Sequence, residues 1–252
     1  DQFTSEMMNG MGAQLGAVQG AVSKAYATAA KSGLNTAQFS EKVAKNLSMA
    51  NRLSFKDGVN GIIRMTALSE KLGINMASVE SAAKNFMDLD KAIENAAHMQ
   101  MLGGSAAASF GNPLTAAYEA KYDPEAFAKR MSDSLASYAT FDANKGYASI
   151  NGMNMDFVRN IAKAMGISEE DAVKNANKQA EIKYKEGAFG ATLGNYSQEQ
   201  RDFILNKSYV ENGKLMINDT NGNKHDISSG KLPENMLKEM MKFTSMDDSE
   251  LM

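Results

Sequence analysis

The sequence predicts a mainly α fold, a multi-helix domain of short helices with a small β-hairpin element in the C-terminal quarter. Its 252 residues include 36 alanines and 19 methionines, which lose little side-chain entropy in a helix, and only 3 prolines. Apolar residues recur every three or four positions through most of the chain, which is the spacing of one helix face. With 43% hydrophobic and 23% charged residues, the composition predicts a folded, soluble chain.

Short corners divide the predicted helices. Residues 33–35, 73–75 and 166–168 each consist of a glycine, an aliphatic residue and a capping residue. The glycine can adopt the left-handed conformation that ends a helix, and the Asn or Ser can accept hydrogen bonds from the free amides of the next helix. Asn112-Pro113 and Asp123-Pro124 predict two further helix starts, because proline is favoured in the first helical turn.

Capping residues and apolar stripes predict the helices between these corners. Ser54 with Asp57, and Ser197 with Gln200, have the spacing of a capping box at a helix start. Three stripes at helical spacing predict buried faces: Phe39, Val43, Leu47 and Ala50; Ile62, Met65, Leu68 and Leu72; and Val79, Ala82, Ala83 and Phe86.

Two stretches depart from the helical pattern. Residues 140–150 contain two short β-prone segments around a glycine-containing turn. Within residues 209–227, Asn212-Gly213 and Asn221-Gly222 are typical hairpin turns and separate three short strands. The helical pattern resumes after Pro233.

A compositional boundary follows Ala191, the last of the alanines. We therefore expect an alanine-rich helical domain over residues 1–191 and a smaller module over residues 192–252, with β-hairpins and a C-terminal helix. The chain starts at Asp1 rather than at a methionine and shows no signal peptide, which indicates a processed or excised piece. No uninterrupted run of the ~20 apolar residues needed for a membrane span is present, so we expect no stable transmembrane segment.

The composition excludes several kinds of chemistry. The chain has no cysteine, so it can form no disulfide and has no thiolate ligand or cysteine nucleophile. A net charge of −3 argues against nonspecific binding to nucleic acid, and we predict no specific nucleic-acid partner. Three acidic groups could in principle act on a glycosidic bond but fit helix caps or solvated faces better. They are Asp88 with Asp90, Glu169 to Asp171, and Asp247 with Asp248.

Two patterns could suggest a metal, and neither is convincing. His98 and His225 are far apart in sequence and lack the spacing of metal ligands. Residues 219–223 resemble the start of a calcium loop, but glycine is fourth instead of sixth and no glutamate is twelfth, so a hairpin turn is favoured. We predict no catalytic residue, no metal and no cofactor.

Small and flexible apolar residues indicate packing surfaces. Gly12, Gly16 and Gly20 are four residues apart and would form a smooth helix face that another backbone could approach, either within the chain or on a partner protein. The methionines, among them Met101 and Met153, mostly occupy apolar helix positions. They are expected to fill the core, and adaptable interfaces are the alternative.

The order of several short motifs resembles that of the tail tape-measure proteins of tailed bacteriophages, in particular those of phages that infect Bacteroides-type hosts. The motifs are residues 53–61 (LSFKDGVNG), 101–105 (MLGGS), 112–114 (NPL), 139–142 (ATFD) and 155–159 (MDFVR). The resemblance extends from about Leu53 to the C-terminus, because the two hairpins and an acidic helical tail also recur in that family.

The resemblance implies a structural virion protein located in the tail or portal lumen, which acts in tail assembly and leaves with the genome through the host envelope at infection. Its partners would be the tail tube, the portal or further copies of itself. Fully helical, 252 residues would extend only ~380 Å. These residues are therefore expected to be a compact segment of a longer ruler or of an internal cargo protein. The alternatives are a phage-associated cell-wall hydrolase and a non-viral helical adaptor.

Overall fold

The computed structural model describes residues 15–47, 49, 53, 55 and 57–245. Their helices are α1 (Leu15–Lys31), α2 (Thr36–Asn46), α3 (Val59–Leu72), α4 (Met76–Met87), α5 (Leu89–Leu102), α6 (Gly104–Phe110), α7 (Pro113–Tyr122), α8 (Pro124–Leu135), α9 (Gly152–Met165), α10 (Glu169–Leu193), α11 (Gln198–Lys207) and α12 (Glu234–Ser245). The strands are β1 (Thr140–Asp142), β2 (Tyr147–Ser149), β3 (Tyr209–Glu211), β4 (Lys214–Asn218) and β5 (Lys224–Asp226). The prediction of a mainly α fold with a small hairpin element near the C-terminus is confirmed.

The three predicted corners between helices are present, with the glycine and the capping residue in the expected roles. Gly73 ends α3 with a φ of 69°, and the N–H of Ile74 donates to the carbonyl five residues earlier. The side chain of Asn75 then accepts a hydrogen bond from the first turn of α4. The same sequence of contacts occurs at residues 33–35 and 166–168. Local chemistry therefore sets where these helices end and begin.

Other predicted helix starts have mixed outcomes. Pro113 and Pro124 lie in the first turns of α7 and α8, and Ser197 with Gln200 forms a complete capping box at α11. By contrast, α3 begins at Val59 after Gly58, which makes no side-chain cap, so that helix starts later than predicted. Ser54 lies outside the described residues.

Helices α3 to α10 together contribute most of the main hydrophobic core. Phe86, Phe110 and Phe127 form its centre, with the ring of Phe86 4.8 Å and 5.5 Å from the other two ring centroids. All four members of the predicted α4 stripe are fully buried around this cluster. Tilted ring pairs of this kind add to the stability gained from burying their area.

Two smaller clusters flank the main core. At the N-terminal side, Ala21, Ala25 and Ala29 of α1 pack with Phe39 and Val43 of α2. At the C-terminal side, α11, α12 and the second sheet bury a cluster that includes Ile204, Leu215, Ile217 and Leu237. The N- and C-terminal parts contact each other, since the side chain of Asn206 donates to the carbonyl of Ser32 over 2.6 Å.

Both predicted hairpin regions are present. β1 pairs with β2, and β3, β4 and β5 form a three-stranded antiparallel sheet. Asn212 and Gly213 have φ of 51° and 75°, the left-handed conformations that a tight hairpin turn requires. The N–H of Gly213 donates to the carbonyl of Ala143, which joins the two sheets.

The predicted domain boundary at residues 191/192 falls in the last turn of α10. This helix has non-helical backbone angles at Phe189. The side chains of Phe189 and Leu193 belong to the C-terminal cluster, and Phe141 and Tyr184 pack against it. The C-terminal module thus uses residues that precede the boundary for its own core.

Within the described residues, every helix is either too short or too polar to traverse a lipid bilayer.

Candidate interaction surface

The predicted glycine face lies on α1, and only part of it is described. Gly12 lies outside the described residues, and for Gly16 the structure describes the backbone only. Gly20 is exposed, and a Cβ placed on it would have no described heavy atom within 4 Å. The buried side of α1 consists of alanines, so the close approach to a partner backbone at Gly12, Gly16 and Gly20 stays a prediction.

The acidic groups identified in the sequence occupy structural positions. Asp88 caps α5 through the N–H of Lys91, and Glu169 pairs with Arg159 at 2.9 Å. Burial alone would raise the pKa of Asp171, but hydrogen bonds from three side chains on α4 and the adjacent corners outweigh it and lower that pKa. Asp247 and Asp248 lie outside the described residues. Asp88, Glu169 and Asp171 therefore stabilise helix ends.

Neither histidine forms a metal site with other described residues. The Nε2 atom of His98 is 4.0 Å from Glu94 on an exposed helix face. The Nε2 atom of His225 is 3.0 Å from Asp219, whose carboxylate also accepts the backbone N–H groups of Asn221 and Asn223. The hydrogen bond with His225, then that from the Asn223 side chain and then those from the two backbone amides hold the pKa of Asp219 well below its usual range. No set of three or more His, Asp or Glu residues in the described part could hold a metal ion. Residues 219–223 form the predicted hairpin turn between β4 and β5.

A cleft of about 980 Å³ lies between α2, α3, α10 and the β1–β2 hairpin. Lysines and glutamates line it, and they pair with one another: Lys42 with Glu70 at 2.7 Å and Lys178 with Glu181 at 3.4 Å. Because opposite charges are interleaved, the cleft presents no strong field of one sign. Tyr147 lies at its edge, 54% exposed.

Lys185 of α10 is a charged side chain with no exposed surface. Its Nζ donates to Glu181 at 2.5 Å, to the carbonyl of Ser208 at 2.6 Å and to the carbonyl of Leu205 at 3.2 Å. Burial lowers the pKa of Lys185, and the opposing effect of Glu181 does not restore it. Three acceptors use the three N–H groups of the ammonium, so this lysine ties α10 to the end of α11.

An apolar stripe on one flank of α5 is exposed in the described part of the chain. Leu89, Ile93 and Met101 recur at intervals that place them along one side of the helix, and they are 45%, 49% and 85% exposed. The side of α5 next to this stripe carries Ala92 and Met99, which are fully buried in the main core. The apolar surface of α5 therefore continues from the core onto an exposed flank of the helix.

A second stripe runs along α7. Leu114, Tyr118 and Tyr122 are four residues apart and are 62%, 58% and 45% exposed. Arg130 of α8 holds this helix in place through a two-pronged ion pair with Glu119, at 2.6 Å and 2.7 Å. The outward direction of the stripe is thus fixed by a partly buried, well-formed contact.

The two stripes lie on helices that pack against each other. Gln100 follows Leu89 by eleven residues and Ile93 by seven, so it shares their side of α5. Its side chain donates to the carbonyl of Gly111, two residues before α7 begins, over 3.1 Å. This contact places the apolar flank of α5 beside α7. We call the six exposed side chains, Leu89, Ile93, Met101, Leu114, Tyr118 and Tyr122, the α5–α7 face.

The α5–α7 face was not predicted from the sequence. Most methionines were expected in the core, and Met65, Met99, Met131 and Met165 are fully buried there. That expectation is wrong for Met101 and for Met153, which is 74% exposed. The spacing of Leu114, Tyr118 and Tyr122 was visible, but helical spacing alone does not tell an inner stripe from an outer one.

Comparison of this chain with protein-family models, curated proteins and solved structures found no match.

Proposed function

We propose that this chain is a structural virion protein, a segment of a phage tape-measure or internal cargo protein that acts in tail assembly and is ejected with the genome. In this role it works by packing against other virion proteins, such as the tail tube, the portal or further copies of itself. Its location would be the tail or portal lumen, with a transient passage through the host envelope. The motif order described above is the origin of the proposal.

The observation that supports a packing role is the α5–α7 face. Six large apolar side chains lie on two adjacent helices and are between 45% and 85% exposed. Isolated exposed apolar residues are ordinary, but several large ones on two adjacent helices favour a contact surface. The rigid attachment of α7 through Arg130 and Glu119 favours a preformed surface, which loses little entropy when a partner binds.

Two partly or fully buried charged groups are held by several hydrogen bonds, which also favours packing over catalysis. Lys185 is held by three acceptors, and Asp171 accepts hydrogen bonds from three side chains. A general acid or base must instead reach a proton on its substrate. Several of the charged residues that line the cleft form ion pairs, as Lys42 does with Glu70.

The direct test is to locate the chain in intact particles. Mass spectrometry of purified virions should detect its peptides, and electron microscopy with a bound antibody fragment or a fused tag should locate it in the tail or portal channel. Detection only in the host cytoplasm would reject the proposal.

A zymogram separates this role from the hydrolase alternative. The purified chain should leave peptidoglycan intact, whereas a lysozyme control clears it. Clearing by the chain that disappears on substitution of an acidic residue would replace the proposal with an enzymatic function. The non-viral adaptor alternative predicts a gene outside any cluster of phage structural genes.

A further inference from the structure

We infer that the α5–α7 face binds a second copy of the same chain in a two-fold symmetric contact, with α5 of each copy against α7 of the other. The inference rests on the packing role proposed above and names the partner of this face. In a two-fold contact the same patch is used on both copies, so the patch must be complementary to itself. The charges and the apolar area of the face must therefore be complementary to those of its own copy.

The charges at the edge of the face are complementary between the two helices. Asp90 and Glu94 are exposed on α5, one residue after Leu89 and one after Ile93, and they border its apolar stripe. Lys121 is exposed on α7 beside the ring of Tyr122, with its Nζ 5.3 Å from the ring centroid. When α5 lies on α7 of the other copy, acidic groups approach a lysine twice, once on each side of the axis.

The same charges disfavour the other way of pairing the helices. If α5 lay on α5, Asp90 and Glu94 would face their own copies, and like charges at a contact are unfavourable. If α7 lay on α7, the two Lys121 ammonium groups would be on the same side of the contact. The crossed arrangement thus avoids these like-charge contacts.

The area of the face fits a small but specific interface. Half-exposed tyrosines present roughly 100 Å² each, and with the four aliphatic side chains the apolar area is on the order of 400 Å² per copy. A standard interface buries about 800 Å² per partner, of which about 57% is apolar. The face therefore supplies about the apolar area that one side of such an interface needs, with the charged border as its rim.

Sedimentation velocity and light scattering on the full 252-residue chain test the inference. We expect a monomer–dimer equilibrium with dimer present at about 100 µM. Tyr118→Asp should raise the dimer dissociation constant by at least about tenfold, because a buried tyrosine would be replaced by an unpaired charge. Tyr147→Asp is the matched control, since Tyr147 is exposed to a similar degree, 54% against 58%, but lies outside the face.

A charge-reversal cycle tests the crossed arrangement itself. Glu94→Lys and Lys121→Glu should each weaken the dimer about two- to fivefold, and the double variant should recover most of that loss. A chain that stays monomeric at about 100 µM, or a Tyr147 variant that weakens the dimer as much as the Tyr118 variant, overturns the inference. Failure of the double variant to recover affinity overturns the contact between α5 and α7.

These outcomes are independent of where the chain is found. A monomeric chain that is present in virions rejects self-association and leaves the virion role standing. A dimer that is absent from virions supports self-association and rejects the virion role. Far-UV circular dichroism of each variant shows whether it is folded, and because the substituted side chains are exposed, we expect spectra equal to that of the original chain.

Discussion

Replacing Lys185 with methionine tests whether the buried ammonium holds the C-terminal module onto α10. Methionine is similar in length and keeps the apolar stem, but it removes all three hydrogen bonds of Nζ. Two backbone carbonyls, of Leu205 and Ser208, then lose a partner at the C-terminal end of α11, and each unsatisfied buried group costs about 1 kcal/mol or more. The carboxylate of Glu181 also loses its closest cation.

Two effects reduce the expected loss. The side chain of Glu181 is 27% exposed and still contacts Lys178, so its charge is not left isolated. The ammonium also no longer has to be buried, which offsets part of the loss. We therefore expect Lys185→Met to lower the free energy of unfolding by about 2 to 3 kcal/mol, near the low end for a broken buried ion pair.

The assay is urea unfolding followed by far-UV circular dichroism. With a slope of about 2.5 kcal/mol per molar urea, the midpoint should fall by about 1 M. Lys183→Met is the control, because Lys183 is exposed on the same helix and its loss should change stability by less than about 0.5 kcal/mol. Equal midpoints for the two variants, or a Lys185 variant more stable than the original chain, would refute the claim that Lys185 holds the C-terminal module onto α10.

Further predictions concern the hairpins and the whole chain. Gly146→Ala should destabilise the fold by about 2 kcal/mol or more, since Gly146 has a φ of 73° and an added Cβ would lie 2.5 Å from the carbonyl oxygen of Val210. Gly213→Ala, with a similar φ but open space around the added Cβ, should cost only the backbone strain of about 1 kcal/mol, and comparison of urea midpoints checks both. Hydrogen bonds from Ser228, and then Lys214, lower the pKa of Asp226 to about 2, so its contribution is present above its ordinary pKa of 3.8 and is lost as pH falls from about 4 towards 2. Asp226→Asn should remove that part of the pH dependence of the unfolding midpoint, and an unchanged profile would contradict the assignment. Calorimetry of the whole chain should show unfolding below ~90 °C, and a single transition above it would argue against a protein that must unfold to pass a channel.

The corners and hairpins show which features of the fold are determined by neighbouring residues. The glycines at 33, 73 and 166 adopt positive φ, and each is followed two residues later by the side chain that caps the next helix. Asn212 and Gly213 likewise form the turn that their φ preferences favour. Such features depend on a few neighbouring residues, so they were predictable. The late start of α3 at Val59 shows the limit, because the spacing of a capping pair does not by itself nucleate a helix.

The sequence by itself determined the helical class, the hairpins and most helix boundaries, because backbone preferences and capping act within a few residues. Only the tertiary structure decided which apolar stripes face inward: Val79 and Phe86 are buried, while Tyr118 and Met101, with equally helical spacing, are exposed. It also decided that Lys185 is enclosed, since its backbone acceptors at the C-terminal end of α11 are 20 and 23 residues away in sequence. Burial depends on which elements pack together, and that is a property of the whole chain.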